Sequence, residues 1–272
     1  MTGLQCVSLL TDYGLEDGFV AACHGVVARI APTTRIIDLT HLVPPGDVRR
    51  GATVLAQTIP YLPEGVHVAV VDPGRAGSRR AVAVAAGGRI FIGPDNGVLS
   101  WAVHGADGTL QAYELTNRKL WLEPVSATFR GRDVFAPVAA HLVNGLELGA
   151  VGVPLDPAEL TTLKLPVRRV QKDADAVHGE VLSIDRFGNV QLSVTAADLD
   201  RLDARTGSDL RLVIGRRKLA VPYRESYAAV APGELVAYPD AVGCIALAVN
   251  SGDAAQVLAL PPGARIQVGI EA

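Results

Sequence analysis

From Leu4 to about Val151 short apolar runs of β type alternate with stretches of helical periodicity, the pattern that βαβ units around a mainly parallel sheet require. The first half of the chain therefore reads as α/β. Candidate strands cover residues 6–10, 35–39, 66–71, 81–85 and 90–92. Between them, Phe19, Cys23, Val26, Val27 and Ile30 recur at helical spacing before Pro32, and Asp47 is placed to cap a helix carrying Ala52, Leu55, Ala56 and Ile59. A last helix of roughly residues 135–144 stops at Gly145, in the manner of a glycine C-cap. Around residues 166–178 the chain turns polar and charged without an apolar period, which marks a linker. Beyond it, alternating runs at 181–184, 190–194, 210–214 and 244–249 are separated by Gly, Asp and Asn turns and predict a small β-barrel. The expected organisation is an α/β N-terminal domain over 1–166, a linker over 167–178 and a smaller C-terminal all-β barrel domain over 179–272.

A chain of 272 residues, 49% apolar and 19% charged, has the means to bury cores of that size. Its net charge of -3, with the doublets Arg49-Arg50, Arg168-Arg169 and Arg216-Arg217 scattered, offers no basic face, so nucleic acid is not an expected partner. The start lacks a basic segment followed by a long apolar stretch, and no run of about 18 apolar residues is uninterrupted. A soluble, cytoplasmic protein without a membrane partner is expected. Three widely spaced cysteines, Cys6, Cys23 and Cys244, read as reduced thiols rather than as disulfides or a zinc site. No phosphate-cradling glycine motif follows the first strand, which disfavours a dinucleotide or nucleoside triphosphate site.

Two carboxylates stand where apolar runs end in turn chemistry: Asp12 in Thr11-Asp12-Tyr13-Gly14 and Asp72 in Val71-Asp72-Pro73-Gly74. In open α/β sheets ligands bind outside the carboxyl ends of the strands, so the pair marks a candidate crevice; each is also an ordinary Asx turn or cap taken alone. The segment 12–18 is acidic and glycine-punctuated, suited either to holding hydroxyls or to a strand-to-helix loop with Asp17 near a helix N-terminus. The segment 72–80 puts Asp72 among Arg75, Arg79 and Arg80, either as an ion pair that keeps the carboxylate charged or as a solvated surface turn. Phe129-Arg130-Gly131-Arg132-Asp133 opens the last helix of this half, either with its positive end toward a crevice or with Arg132 or Arg130 paired to an Asp133 that caps the helix. His41, His104 and His141 lack metal-ligand spacing and read as hydrogen-bonded structural residues, so no metal is expected. In the second half, Asp185-Arg186-Phe187-Gly188-Asn189 is a turn whose Asn can read a purine edge, and Tyr227 offers a stacking face.

Taken in order, Thr11-Asp12-Tyr13-Gly14, Asp38-Leu39-Thr40-His41, Val70-Val71-Asp72-Pro73-Gly74, Ile92-Gly93-Pro94-Asp95-Asn96-Gly97, Thr128-Phe129 with Gly131-Arg132-Asp133, and Ile184-Asp185-Arg186-Phe187-Gly188-Asn189 resemble the S-adenosylmethionine hydroxide adenosyltransferase (hydrolase) family, kin to the fluorinases and chlorinases. The resemblance spans nearly the whole chain. It implies hydrolysis of S-adenosyl-L-methionine to adenosine and L-methionine, with no cofactor, in a homotrimer whose sites lie between the first domain of one subunit and the second of its neighbour. It further implies that Asp12 takes the ribose hydroxyls, that Asp17 and Asp185 lie near the methionine end, and that Asn189 with the backbone around Val249 to Ser251 reads the adenine, stacked on Tyr227. Asp72 and Arg79 match two members of the hydrolases' Asp-Arg-His triad, and the halogenases resemble one another in a tyrosine at the Asp72 position. This chain departs from the pattern at three places: Arg130 stands where the hydrolases carry histidine, Arg75 fills a turn position that is usually small or apolar, and Gly46 lies where the fluorinase has a large aromatic. The expected function is thus hydrolysis, with Asp72, Arg79 and Arg130 as catalytic residues; the rivals are a 5′-halogenase and a non-catalytic binding module for adenosine or S-adenosylmethionine.

Overall fold

A computed structural model describes residues 3–73, 79–171 and 175–271. The chain divides into two compact units, Met1–Leu163 and Lys164–Ala272. In unit 1 the elements follow as β1 (Cys6–Thr11), α1 (Phe19–Ile30), β2 (Arg35–Thr40), α2 (Val48–Thr58), β3 (Val66–Val70), β4 (Ala81–Ala86), β5 (Arg89–Pro94), α3 (Ser100–His104), β6 (Gln111–Leu115), α4 (Ala136–Val143) and β7 (Gly152–Leu155).

Seven strands form one sheet in the order β2-β1-β3-β5-β4-β6-β7. The sequence predicts a mainly parallel sheet, whereas the observed sheet is mixed. The pairs β1–β2, β1–β3 and β3–β5 are parallel, and β4–β5, β4–β6 and β6–β7 are antiparallel. The cause is local: β4 and β5 are joined only by Gly87 and Gly88, both at positive φ (55° and 75°). A two-residue loop of that geometry closes a hairpin and cannot make the long crossover that parallel neighbours need.

Side chains alternate across this sheet and fill two cores. Val7, Leu9, Val68, Val70 and Ile92 pack with Cys23, Val26 and Val27 of α1 and with Val138 and Leu142 of α4. Leu10, Ala69, Val71, Val82, Val84 and Phe91 pack with Leu55 of α2 and with Ala102 and Val103 of α3. Helices thus cover both faces, which leaves the strand ends open. Asp47 caps α2 as the sequence predicts, its side chain accepting from Arg50 N at 2.9 Å. The predicted last helix opens instead with a π-helical turn, Gly131–Phe135, before α4 begins.

Unit 2 is antiparallel throughout its ladder. It comprises β8 (Arg169–Gln171), β9 (Ala176–Ile184), β10 (Val190–Thr195), α5 (Ala196–Asp200), β11 (Asp209–Ile214), β12 (Arg217–Pro222), β13 (Leu235–Pro239), β14 (Cys244–Val249), α6 (Ala254–Leu258) and β15 (Arg265–Ile270). The order β12-β11-β15-β9-β10-β14-β13 is nearly closed into a barrel by a bridge between Tyr223 and Ala237. Within the stretch predicted to be a linker, residues 172–174 lie outside the described residues, while β8 pairs with the first residues of β9. A three-residue edge strand, Arg169-Val170-Gln171, with polar outward positions carries too little alternation to be seen in sequence. All three cysteines are free, Cys6 and Cys23 buried and Cys244 half-buried. No described helix is long and apolar enough to cross a membrane.

One buried group sets a pH dependence for this fold. His67 on β3 is fully buried, its Nδ1 2.8 Å from Ser8 Oγ on β1, and its Nε2 has no hydrogen-bond partner among the described residues. Burial, with the Arg89 guanidinium adding to it, pushes His67 down to about 4. The native state therefore refuses a proton that the unfolded chain accepts below its ordinary value of about 6.5, so stability is full above that pH and declines on acidification toward the folded value. Urea unfolding is expected to show a loss of about 2 kcal/mol between about pH 7 and 5 that is mostly absent in His67→Gln; an unchanged slope in the variant would contradict the assignment.

Candidate active site

The carboxyl ends of β1, β2, β3 and β5 open on the same edge of the parallel half of the sheet, and Asp12 and Asp72 stand just past two of them. The β1–β2 register slips between Leu9 and Leu10, an irregularity that re-aims the chain as it leaves the sheet. Asp12 follows at once. Its Oδ2 accepts the Gly46 N–H at 2.8 Å, while Gly14, at a φ of 74°, folds the chain back so that its N–H reaches the His41 carbonyl at 2.8 Å. Gly46 itself has a φ of 72°, and a Cβ there would lie 2.7 Å from the Pro73 Cβ, so glycine alone fits between the two carboxylate-bearing turns.

Asp72 comes off β3, the strand next to β1. Its Oδ1 lies 3.2 Å from Arg79 Nε, an ion pair in which the carboxylate is the less exposed partner. The residues next to Asp72 and Arg79 are pinned. Asn96, buried past the end of β5, donates its amide to the Val71 carbonyl at 2.8 Å and accepts the Val98 N–H at 3.1 Å. Arg80, next to Arg79, pairs with Asp95 at 2.7 Å. Arg75 lies outside the described residues.

Arg130 begins the π-helical turn, and its Nη1 donates to the Arg79 carbonyl at 2.8 Å. Its guanidinium sits 5.4 Å from the centre of the Phe135 ring. Burial lowers its pKa, and the Asp72 and Glu114 carboxylates work in the opposite sense; an arginine so placed remains a cation. Which arginine pairs with Asp133 is decided by this geometry: Arg132 donates to it from Nε at 2.6 Å and from Nη2 at 3.0 Å, and Ser126 N donates to it at 2.8 Å. Arg130 is thereby left to the site. Gly131 is squeezed against Tyr13, whose hydroxyl a Cβ would overlap, and Phe129 meets both Tyr13 and Phe19 edge-on.

Asp12, Asp72, Arg79 and Arg130 are thus brought together, and their charges interact. Burial pushes the Asp12 carboxyl up and the Asp72 charge adds to this; the N–H groups of Gly46, Asp12 and Asp72 hold it back without cancelling it. Asp17 is exposed, two residues before α1.

The other expected residues belong to unit 2. Asp185 closes its own turn: Oδ1 accepts from Phe187 N at 2.8 Å and Asn189 N at 2.9 Å, and Oδ2 accepts the Asn189 side-chain amide at 2.8 Å. Asn189 therefore spends a donor on Asp185 and keeps its carbonyl oxygen. That turn packs on the start of α6, with Ala255 N bonded to the Gly188 carbonyl at 2.9 Å. Val249 ends β14, Ser251 adopts a φ of 60°, and its Oγ donates to Asn250 Oδ1 at 3.2 Å. Tyr227 is 54% exposed and meets Tyr238 edge-on at 6.1 Å. Tyr238 was not singled out from sequence; burial raises its hydroxyl pKa and the nearby Asp185 charge adds to that, which puts it beside the same turn.

The profile of the SAM hydroxide adenosyltransferase N-terminal domain matches residues 7–152, and that of the C-terminal domain matches residues 179–267. The chain belongs to this family. It is 52% identical over 262 residues to an (R)-S-adenosyl-L-methionine hydrolase of Salinispora tropica, covering 96% of this chain and 97% of that one. A more distant relative is a fluorinase of Nocardia brasiliensis, 29% identical over 97% of this chain and 96% of that one. Among solved structures, an uncharacterized conserved protein from Thermotoga maritima superposes with a TM-score of 0.90 at 36% identity, over 97% of this chain and 99% of that chain.

Residues that sequence reasoning did not assign a role include Asn96 and Gly46. Asn96 stood in a quoted motif, directly after a strand, where turn chemistry is the only local signal. Replacing Asn96 by Ala strands the Val71 carbonyl and the Val98 N–H in a buried place, and is expected to cost about 1–3 kcal/mol in urea unfolding. A loss below a few tenths would mean that the amide does not hold this turn.

Proposed function

We propose that this chain is a hydrolase that converts S-adenosyl-L-methionine and water to adenosine and L-methionine. The reading is supported by a relative at 52% identity that bears the name of that activity. The observation that carries it to particular atoms is the Asp72–Arg79 ion pair beside Asp12.

In this mechanism a water oxygen attacks C5′ in line with the sulfur. The new C5′–O bond forms as the C5′–S bond breaks, the bonding pair stays on sulfur, and methionine leaves as a neutral thioether, so no general acid is needed. Asp72, an acceptor-only anion, holds the attacking water through one of its protons; Arg79, a permanent donor, stabilises hydroxide character as that proton departs to solvent. Arg130 has no base function, because arginine keeps its proton, and it acts by fixing the Arg79 backbone and adding positive charge behind Asp72. Rate enhancement then comes from positioning and from the loss of bulk water around the nucleophile. Asp12 takes the ribose hydroxyls. Asp17 and Asp185 line the methionine end, and Asn189 with the backbone of Val249 and Ser251 reads the adenine stacked on Tyr227. The substrate itself carries the activated group, so no cofactor enters. The working form is a cytoplasmic homotrimer, with the unit 1 residues of one subunit and the unit 2 residues of its neighbour completing each site.

A 5′-halogenase is the second reading, favoured by the cationic Arg130 near the nucleophile position and by the fluorinase relative. The Asp72 carboxylate opposes it, since a negative oxygen repels a halide held at the same place.

Pure protein incubated with S-adenosylmethionine is expected to release adenosine and methionine, followed by chromatography, with or without chloride. Formation of 5′-chloro-5′-deoxyadenosine would favour the halogenase, and tight binding without turnover would favour a binding module. Asp72→Ala is expected to lose about 10²-fold or more in kcat; full activity would overturn the mechanism. Because Asp12 must be ionised to accept two hydroxyls and its folded pKa is raised, kcat/KM is expected to fall on acidification at a pH above the ordinary aspartate value of about 3.9. Asp12→Asn should abolish that limb at much reduced activity.

A further inference from the structure

Away from the nucleophile position, three side chains with metal-ligand chemistry come together on unit 1. His24 Nε2, from α1, lies 2.8 Å from Asp38 Oδ1 on β2, and His41 Nε2 lies 3.0 Å from the same oxygen. The three ligand atoms are all within 4.8 Å of one another. His41 is only 4% exposed, and its ring is fixed from the far side by a 2.8 Å bond between Nδ1 and Thr11 Oγ1. Its Nε2 meets Asp38 Oδ1 only in this ion-pair contact, without the alignment of a full hydrogen bond. One carboxylate oxygen thus takes two imidazoles, His24 by a hydrogen bond and the buried His41 by a poorly aligned contact, an arrangement that a cation shared by all three would satisfy better.

We propose that His24, Asp38 and His41 form a three-ligand site for a divalent transition-metal ion of the zinc class, with solvent in the fourth position. Two imidazoles and a carboxylate are a donor set that zinc takes readily, and ligand distances of about 2.0–2.1 Å in a tetrahedron put the donor atoms about 3.3 Å apart. The two spacings to Asp38, 2.8 and 3.0 Å, need to open by up to about half an ångström, and the two ring nitrogens, which lie within 4.8 Å of each other, need to come to the same separation. The bond from His41 Nδ1 to Thr11 is the outer contact that fixes which nitrogen faces the ion. His24 and Asp38 are each more than a third exposed, which leaves an entry path for the ion. The ion would be structural: it ties α1 and the end of β2 to Thr11, the residue before Asp12, without touching the reacting atoms.

Sequence spacing alone could not indicate this site, because His24 reaches it from another element. The test uses the full chain after treatment with a chelator, titrated with Zn²⁺ by calorimetry and with Co²⁺ by visible absorption. One ion per chain is expected, with the d–d bands of four-coordinate Co²⁺ and a raised melting temperature. His24→Ala, at a partly exposed helix position where folding is not at risk, is expected to weaken binding at least about tenfold. Asp38→Asn should do the same, and His104→Ala, an exposed histidine on α3, should leave the affinity unchanged. No saturable binding, a stoichiometry other than one, or an affinity untouched by both His24→Ala and Asp38→Asn would each overturn the proposal.

Discussion

Two carboxylates leave neighbouring parallel strands on the same edge of one sheet, and supplying each with donors or a cation is the constraint that this end of unit 1 meets. Asp12 and Asp72 follow β1 and β3, which are paired in register up to Thr11 and Val70. The Asp72 charge is one of the causes that raise the Asp12 pKa. Neighbouring like charges persist where donors and cations surround them. Here those are the Gly46 N–H on Asp12, the Arg79 guanidinium on Asp72, and the Arg130 charge, which also acts on Asp72. Gly46 also fits closely against Pro73, and a side chain at that position would disturb the N–H that Asp12 accepts.

Holding such a cluster requires rigid surroundings, and buried polar contacts supply them. Asn96 ties the end of β5 to the residue before Asp72, while Asp95 anchors Arg80 beyond it. Asp133 uses both of its oxygens on Arg132 and Ser126, a pairing that keeps Arg132 occupied and Arg130 available. The π-helical turn that presents Arg130 widens the helix where Gly131 passes the Tyr13 hydroxyl. Irregular helical turns of this sort occur often at functional sites, where one extra residue shifts the direction of a side chain.

Much of this was readable in advance, for physical reasons that differ from element to element. β1 and β3 are short, almost wholly apolar and end in turn residues, so the positions of Asp12 and Asp72 past their ends followed directly. The antiparallel β4–β5 hairpin depended on Gly87-Gly88, a signal that was present but was outweighed by the βαβ pattern around it. In unit 2, β12 carries Arg217 and Lys218, β13 ends in Pro239, and β15 starts at Arg265; their charges and proline blur an alternation that becomes clear only once the barrel pairs them. The site was less legible than the fold. Sequence left both Arg130 and Arg132 as partners for Asp133, and only packing chose between them. The convergence of Gly46 on Asp12, of Asn96 on Val71 and of His24 on Asp38 joins residues 14 to 34 positions apart, which no local pattern encodes.

The central claim is that a nucleophilic water is held by Asp72 and Arg79 opposite the sulfur while Asp12 fixes the ribose. A crystal structure of the chain with adenosine and methionine bound tests it most directly. The account predicts both ribose hydroxyls within hydrogen-bond distance of the Asp12 carboxylate, and the 5′ oxygen of adenosine within reach of Asp72 and Arg79. A nucleoside bound with C5′ turned away from residues 72 and 79, or bound elsewhere on unit 1, would contradict it.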